Sequence, residues 1–200
     1  MAVAKPGKLT FEEYLRIQDE LEQTQPDQRY ELIDGALVEL PPESELNNWI
    51  ANHLFLLFVA AQVVNPRLIR THACEIQVPV LLPKDAANRY PDLVILRDEH
   101  LALTQARLTI TREMPPPRLI AEVVSPGRAN RERDYDRKRN QYAAIAIPEY
   151  WLIDPELQSV TVLKLDGTTY QDVGIFREQD CILSPEFGAL NLTAAQILEA

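Results

Sequence analysis

Leu119-Ile-Ala-Glu-Val-Val124, then Ser125-Pro-Gly127, a charged stretch over 130–145 and Tyr150-Trp-Leu-Ile153 decide the reading of the fold. The first six residues read as a strand buried on both faces, because such strands run apolar without alternation. Ser125-Pro-Gly127 breaks that strand. Residues 130–145 read as a helix, and Tyr150–Ile153 as the next strand. Strand, helix and strand with short joints fit a right-handed crossover between two parallel strands. One residue conflicts with a fully apolar strand. Glu122 sits at its centre, and burying an unpaired carboxylate costs several kcal/mol unless it takes up a proton or finds a partner.

Working outward, Tyr90-Pro-Asp-Leu-Val-Ile-Leu96 poses the same problem through Asp92. Tyr30-Glu-Leu-Ile33 poses it more weakly through Glu31. That last segment and Ala36–Leu40 flank Asp34-Gly35, a strong hairpin signal. Thr10-Phe-Glu-Glu13 has capping-box spacing and predicts a helix over 10–22. Ser44 can cap a long helix to about Val64. Residues 74–82 read as a strand, and 101–113 as either a short helix or a strand. A second hairpin is expected over 157–175 around Asp166-Gly167, then a further strand and a terminal helix near 193–199. No repeat, low-complexity tract or domain boundary stands out. The expectation is one α/β (α+β) domain over 1–200, with its core at about 28–156 and the hairpin and short helix appended over 157–200.

The 200 residues carry 30 acidic and 20 basic side chains, a formal net charge of −10. Such a balance disfavours passive, non-specific DNA binding, but leaves room for a local basic patch or a bound cation. Residues 128–139 supply the most basic window. It reads equally well as a phosphate contact and as a surface helix laced by ion pairs. Two cysteines without CxxC spacing exclude a disulfide framework and an all-cysteine zinc site, and read best as buried free thiols. His53, His72 and His100 lack ligand spacing and read as structural. No glycine-rich phosphate loop or GxSxG is present, so nucleotide cofactors and serine-hydrolase chemistry are disfavoured. The N-terminus lacks a signal-peptide core, and the longest mostly apolar uncharged run, Leu54 to Val64, is too short for a bilayer. A soluble cytoplasmic protein with no membrane partner is expected.

In the helix after Glu122, Asp134, Lys138 and Tyr142 lie at i, i+4 and i+8, on one face that rotates by about 40° per step. If that face packs on the sheet, Lys138 points back toward Glu122. Two carboxylates suit Mg²⁺, which keeps several waters and takes one or two protein carboxylates. A lysine beside metal-bound water suits attack on a phosphate.

These residues resemble the PD-(D/E)XK nuclease superfamily, and more closely the Uma-two family of restriction endonucleases. The resemblance rests on Tyr30–Gly35, Pro91–Val94, Glu122–Pro126, the Asp134, Lys138 and Tyr142 spacing, and Pro148–Pro155. It implies a restriction-endonuclease-like fold, with a mixed central sheet flanked by helices. It also implies that Asp92, Glu122 and the Val123 carbonyl bind Mg²⁺ (or Mn²⁺ in its place), that Lys138 is the catalytic lysine, and that Glu31 assists. Asn47 and Asn48 fall where the family has a polar residue facing the site. The superfamily pattern puts lysine two residues after the glutamate, where this chain has Val124, so the lysine function passes to the following helix. The function implied is Mg²⁺-dependent cleavage of DNA, by a homodimer if both strands are cut. The competing readings are a non-catalytic binding or oligomerising module built on a nuclease fold, and a hydrolase for a small phosphodiester.

Overall fold

The computed structural model describes residues 8–24 and 28–199. Its centre is a six-stranded sheet built from β3 (Ile69–Thr71), β6 (Leu93–Ile95), β8 (Leu119–Val123), β9 (Glu149–Asp154), β10 (Ser159–Asp166) and β11 (Thr169–Phe176). The order across it is β11-β10-β9-β8-β6-β3. Only β8 and β9 run parallel, and every other neighbour in this sheet is antiparallel. The parallel pair is the crossover expected from the sequence. Its connection is helical from Arg128 to Ala144: α4 (Arg128–Glu132), a π segment (Arg133–Lys138) and α5 (Arg139–Ala144). The π segment was not expected.

Both faces of the sheet are buried. Leu93, Ile95, Leu119, Ala121, Val123, Trp151 and Ile153 join one core, shared with α2 (Glu45–Ala61) and α6 (Ala194–Leu198). Val94, Leu96, Ile120, Val124, Tyr150 and Leu152 join the other, shared with Tyr142 and Ala143 of α5. Because side chains alternate along a strand, Asp92 and Glu122 fall on this second face, beneath the crossover helix.

The first face is closed by α2. Ile50, Leu54 and Phe58 repeat at four-residue spacing and are fully buried, each contributing about 1.5–3 kcal/mol over exposure. Ser44 Oγ accepts the Asn47 N–H at 3.1 Å, capping the start. Gln62, at φ 55°, ends the helix in the left-handed region.

The N-terminal helix α1 (Phe11–Thr24) starts in a reciprocal capping box. Thr10 N–H donates to Glu13 Oε2 at 2.9 Å, and Glu13 N–H to Thr10 Oγ1 at 3.2 Å. The first hairpin, β1 (Tyr30–Ile33) and β2 (Ala36–Glu39), turns at Asp34 (φ 51°) and Gly35 (φ 79°). Two positive φ values are what a type I′ turn requires. Gly35 is also pressed by the chain, since a Cβ there would lie 2.4 Å from Lys8 Cβ.

Some expectations are revised by the structure and one left open is resolved. The strand expected over 74–82 shrinks to β4 (Glu75–Gln77), which leaves the main sheet for a small one of order β5-β4-β7, with β5 at Asn88–Arg89 and β7 at Thr109–Ile110. Pro79 and Pro83 cannot donate to a ladder, which limits continuation. Residues 101–113 resolve into both alternatives, α3 (His100–Leu103) and β7. No strand follows β11 among the described residues, only a bridge between Cys181 and Thr193. The tail instead drives Ile182, Phe187, Leu190 and Leu192 into the first core. Cys74 is buried as expected, but Cys181 is exposed, and both are free.

Candidate active site

Asp92 immediately precedes β6, one position beyond the Leu93–Ala121 pair, so it faces Glu122 on β8. Its carboxylate is fixed from one side, where Oδ2 accepts the Val123 N–H at 2.6 Å. Its other oxygen, Oδ1, lies 3.4 Å from His72 Nδ1. Glu122 is 2 % exposed and held at both oxygens. Lys138 Nζ donates to Oε2 at 2.7 Å, and the Tyr142 hydroxyl donates to Oε1 at 2.6 Å. Lys138 also lies 3.0 Å from Asp134 Oδ1, and Arg133 Nε donates to that same oxygen at 2.9 Å. Asp134, Lys138 and Tyr142 are therefore one buried face aimed at Glu122, as their spacing predicts. The π segment helps align them. A wider turn advances less per residue, so it counters the drift of about 40° that four-residue spacing accumulates in an α-helix.

The electrostatics follow from burial. Desolvation pushes Glu122 up to about 7, with Asp92 and Asp134 adding to the rise and Lys138 opposing it. Burial alone would discharge Lys138, but Asp134 and Glu122 outweigh it and hold the amine above the usual lysine range. Burial likewise works against Asp134, yet Lys138 and Arg133 carry its carboxyl below the usual range. The amine therefore remains charged beside a carboxyl that is unusually ready to take a proton.

The other expected residues are placed less directly. Glu31 is bound through both oxygens by Arg89 Nη1, at 3.1 Å each, and Arg89 Nε donates to Gln141 Oε1 at 2.9 Å. Glu31 is thus ion-paired with Arg89, and no hydrogen bond or ion pair joins it to Asp92 or Glu122 among the described residues. The Val123 carbonyl accepts Asn47 Nδ2 at 3.3 Å, and that amide also donates to Ser125 Oγ at 2.9 Å. Asn47 faces the site, whereas Asn48 bonds back to Asn52 on its own helix.

The basic window is mostly neutralised. Arg131 pairs with Asp154 and Glu156, Arg133 with Asp134, Arg137 with Asp85 and Glu132, and Arg139 with Asp172. These pairs favour the ion-paired-helix reading over a free phosphate contact. His100 and His53 are structural, bonded to Pro115 O and Gln196 O. His72, read from the sequence as structural, lies beside the site, with Nδ1 3.4 Å from Asp92 Oδ1. It approaches Asp92 from a loop, and no spacing motif marks it.

Two donor sets could hold a cation. Asp92 and Glu122, with the Val123 carbonyl, offer hard oxygens on facing strands, and carboxylate oxygens keep lone pairs beyond one hydrogen bond. Glu43, His72 and Asp92 place donor atoms within 4.8 Å of one another.

Against this geometry, residues 11–195 match the Uma2 family, described as "Putative restriction endonuclease". A solved structure titled as a putative nuclease belonging to DUF820, from Anabaena variabilis ATCC 29413, is similar at a TM-score of 0.64 and 18% identity. The likeness covers 96% of this chain and 98% of that one, and at this identity it speaks to the fold alone. No curated protein matches the chain. Among the described residues no helix is long and apolar enough to cross a membrane.

Proposed function

The chain belongs to the Uma2 family of putative restriction endonucleases, and from that premise we propose that it is a Mg²⁺-dependent endonuclease hydrolysing DNA phosphodiester bonds. The observation that carries this reading is the convergence on Glu122 of a charged, buried lysine from a separate element, with Nζ 2.7 Å from Oε2. Asp92, Glu122 and the Val123 carbonyl would hold the ion, with Mn²⁺ able to replace Mg²⁺. When bound, the ion lowers the pKa of water and offsets phosphate charge.

The chain's own residues do the rest. The Val123 N–H orients Asp92, and the Tyr142 hydroxyl orients Glu122. Asn47 steadies the strand end through the Val123 carbonyl and Ser125. Lys138 uses two of its three N–H groups on Glu122 and Asp134, which leaves one to direct at an attacking water or a phosphoryl oxygen. Water oxygen bonds to phosphorus, the bond to the leaving sugar oxygen breaks, and the proton passes to the leaving group or solvent. Glu31, held by Arg89, acts at the margin of the site. The reading extends to a cytoplasmic homodimer, one site for each strand of a duplex.

A second reading keeps one observation on its side. Glu122 has both oxygens satisfied by protein donors, as a retained, non-catalytic core would. Plasmid and single-stranded DNA incubated with Mg²⁺ or with chelator separate the two. Metal-dependent cutting by the wild type, lost in an Asp92→Asn, Glu122→Gln double variant, is the expected result. Equal rates for both proteins would overturn the nuclease reading.

A further inference from the structure

We propose that Glu43, His72 and Asp92 form a second divalent-cation site, sharing Asp92 with the proposed catalytic centre and selecting ions of the Mn²⁺, Co²⁺ and Zn²⁺ type over Mg²⁺. Asp92 is the hinge of the argument. Its Oδ2 is committed to the Val123 N–H, while Oδ1 turns the other way, toward His72 Nδ1 at 3.4 Å. The three residues come from separate places in the chain: the segment before α2, the loop after β3, and the entry to β6. Their donor atoms lie within 4.8 Å of one another. Donors sharing one ion at about 2.0–2.2 Å sit roughly 3–4 Å apart. Glu43 is exposed, and closing that difference requires its carboxylate to turn away from its ion pair with Arg29.

The independent observation is His72 itself. Both ring nitrogens are buried, and neither makes a hydrogen bond among the described residues. A neutral imidazole always carries one N–H and one lone pair, so an unsatisfied buried ring is costly, and a cation at the lone pair removes half of that cost. The His72 backbone N–H bonds to the Asp92 carbonyl at 3.1 Å, and Arg29 Nη1 donates to the His72 carbonyl at 2.9 Å, so the main chain is fixed and the ring is left facing Asp92 and Glu43.

The donor chemistry sets the preference. Two carboxylates and an imidazole make a mixed oxygen and nitrogen site, which suits Mn²⁺, Co²⁺ and Zn²⁺, whereas Mg²⁺ keeps to oxygen. Arg29 Nη2 lies 3.5 Å from Glu43 Oε1 and competes for that carboxylate, so ion binding frees the guanidinium for an anion such as a phosphate.

The inference rests on the nuclease reading only through Asp92, and its test does not depend on cleavage. Wild-type crystals soaked in Co²⁺ and read by anomalous scattering should show a peak at bonding distance from a His72 nitrogen and an Asp92 oxygen. In solution, His72→Ala should weaken Co²⁺ binding at least ten-fold by calorimetry while Mg²⁺ binding changes little, and Glu122→Gln should leave Co²⁺ at this site. A peak held by Asp92 and Glu122 without His72, no peak at all, or equal Co²⁺ affinity in wild type and His72→Ala would overturn the inference. If DNA is not cut but the His72-dependent ion remains, the nuclease reading falls and this one stands.

Discussion

Lys138 and Glu122, 16 residues apart in sequence, meet as a buried ion pair at 2.7 Å between the crossover helix and the central sheet. Asp134 completes the arrangement at 3.0 Å from the same amine. The Lys138 charge thus serves Glu122 and, together with Arg133, Asp134, and it ties their ionisation to one another.

Removing the amine should therefore be costly. Lys138→Met leaves Glu122 and Asp134 without their shared cation, and breaking a buried pair from one side typically costs about 3–5 kcal/mol. Urea denaturation at pH 8 should show that loss. At pH 5 the loss should be smaller, because Glu122 can take a proton in place of its partner. DNA cleavage, where the wild type cuts, should vanish at both pH values.

The raised Glu122 pKa makes a signed prediction for the metal-free protein. Its folded value, about 7, lies above the unfolded glutamate value of about 4.3. The folded state therefore binds the proton more tightly. The resulting stabilisation is full below about pH 4.3 and is lost as pH rises through 7. Relative to Glu122→Gln, which cannot titrate, the wild type should lose on the order of 4 kcal/mol across that window. Parallel pH-resolved melts in chelator check it, and a constant difference between the two proteins would contradict it.

Glu149 is a buried carboxylate with a structural task. It accepts Trp151 Nε1 at 2.5 Å, Ser184 Oγ at 2.7 Å and the Glu186 N–H at 2.7 Å, tying the C-terminal tail to the start of β9. Glu149→Ala orphans three donors and should destabilise by about 2–4 kcal/mol. Limited proteolysis should then cut first within 177–193. Because Glu149 lies on the opposite face from Glu122, divalent-ion affinity should be unchanged once the variant is folded.

The central crossover, both hairpins and the long helix were legible because their signals are local: an apolar run, a turn dipeptide, a cap. Glu122 was legible by contradiction, a charge in an apolar strand, and Lys138 by its four-residue spacing from Asp134 and Tyr142. The place of His72 beside Asp92 was not, since it arises from a loop meeting that strand end. Arg89 was not, because a buried arginine looks like any other until Glu31 closes on it. Glu75 and Glu149 show the limit of reasoning by contradiction. Both are buried carboxylates near strand starts, yet their donors, Thr109 and Asn88 for one and Ser184 for the other, come from remote segments. The shortened strand at 75–77 and the π segment depend on neighbours and on backbone closure, which no periodicity encodes.

Asp92→Asn should separate a metal role from a structural one. The substituted amide keeps an oxygen that can accept the Val123 N–H, so the strand junction held at 2.6 Å survives and the metal-free melting temperature should stay near wild type. What the amide loses is the negative charge facing His72 and Glu122. If Asp92 is a ligand, a divalent ion at a hundred times its Kd stabilises the wild type by about 2.7 kcal/mol. For a chain of this length that is roughly 5–10 °C in melting temperature. Mn²⁺ should produce that rise in the wild type and little or none in Asp92→Asn. An equal rise in both would mean that Mn²⁺ binds elsewhere, and Asp92 would then be a strand-end anchor whose acidity serves no ion.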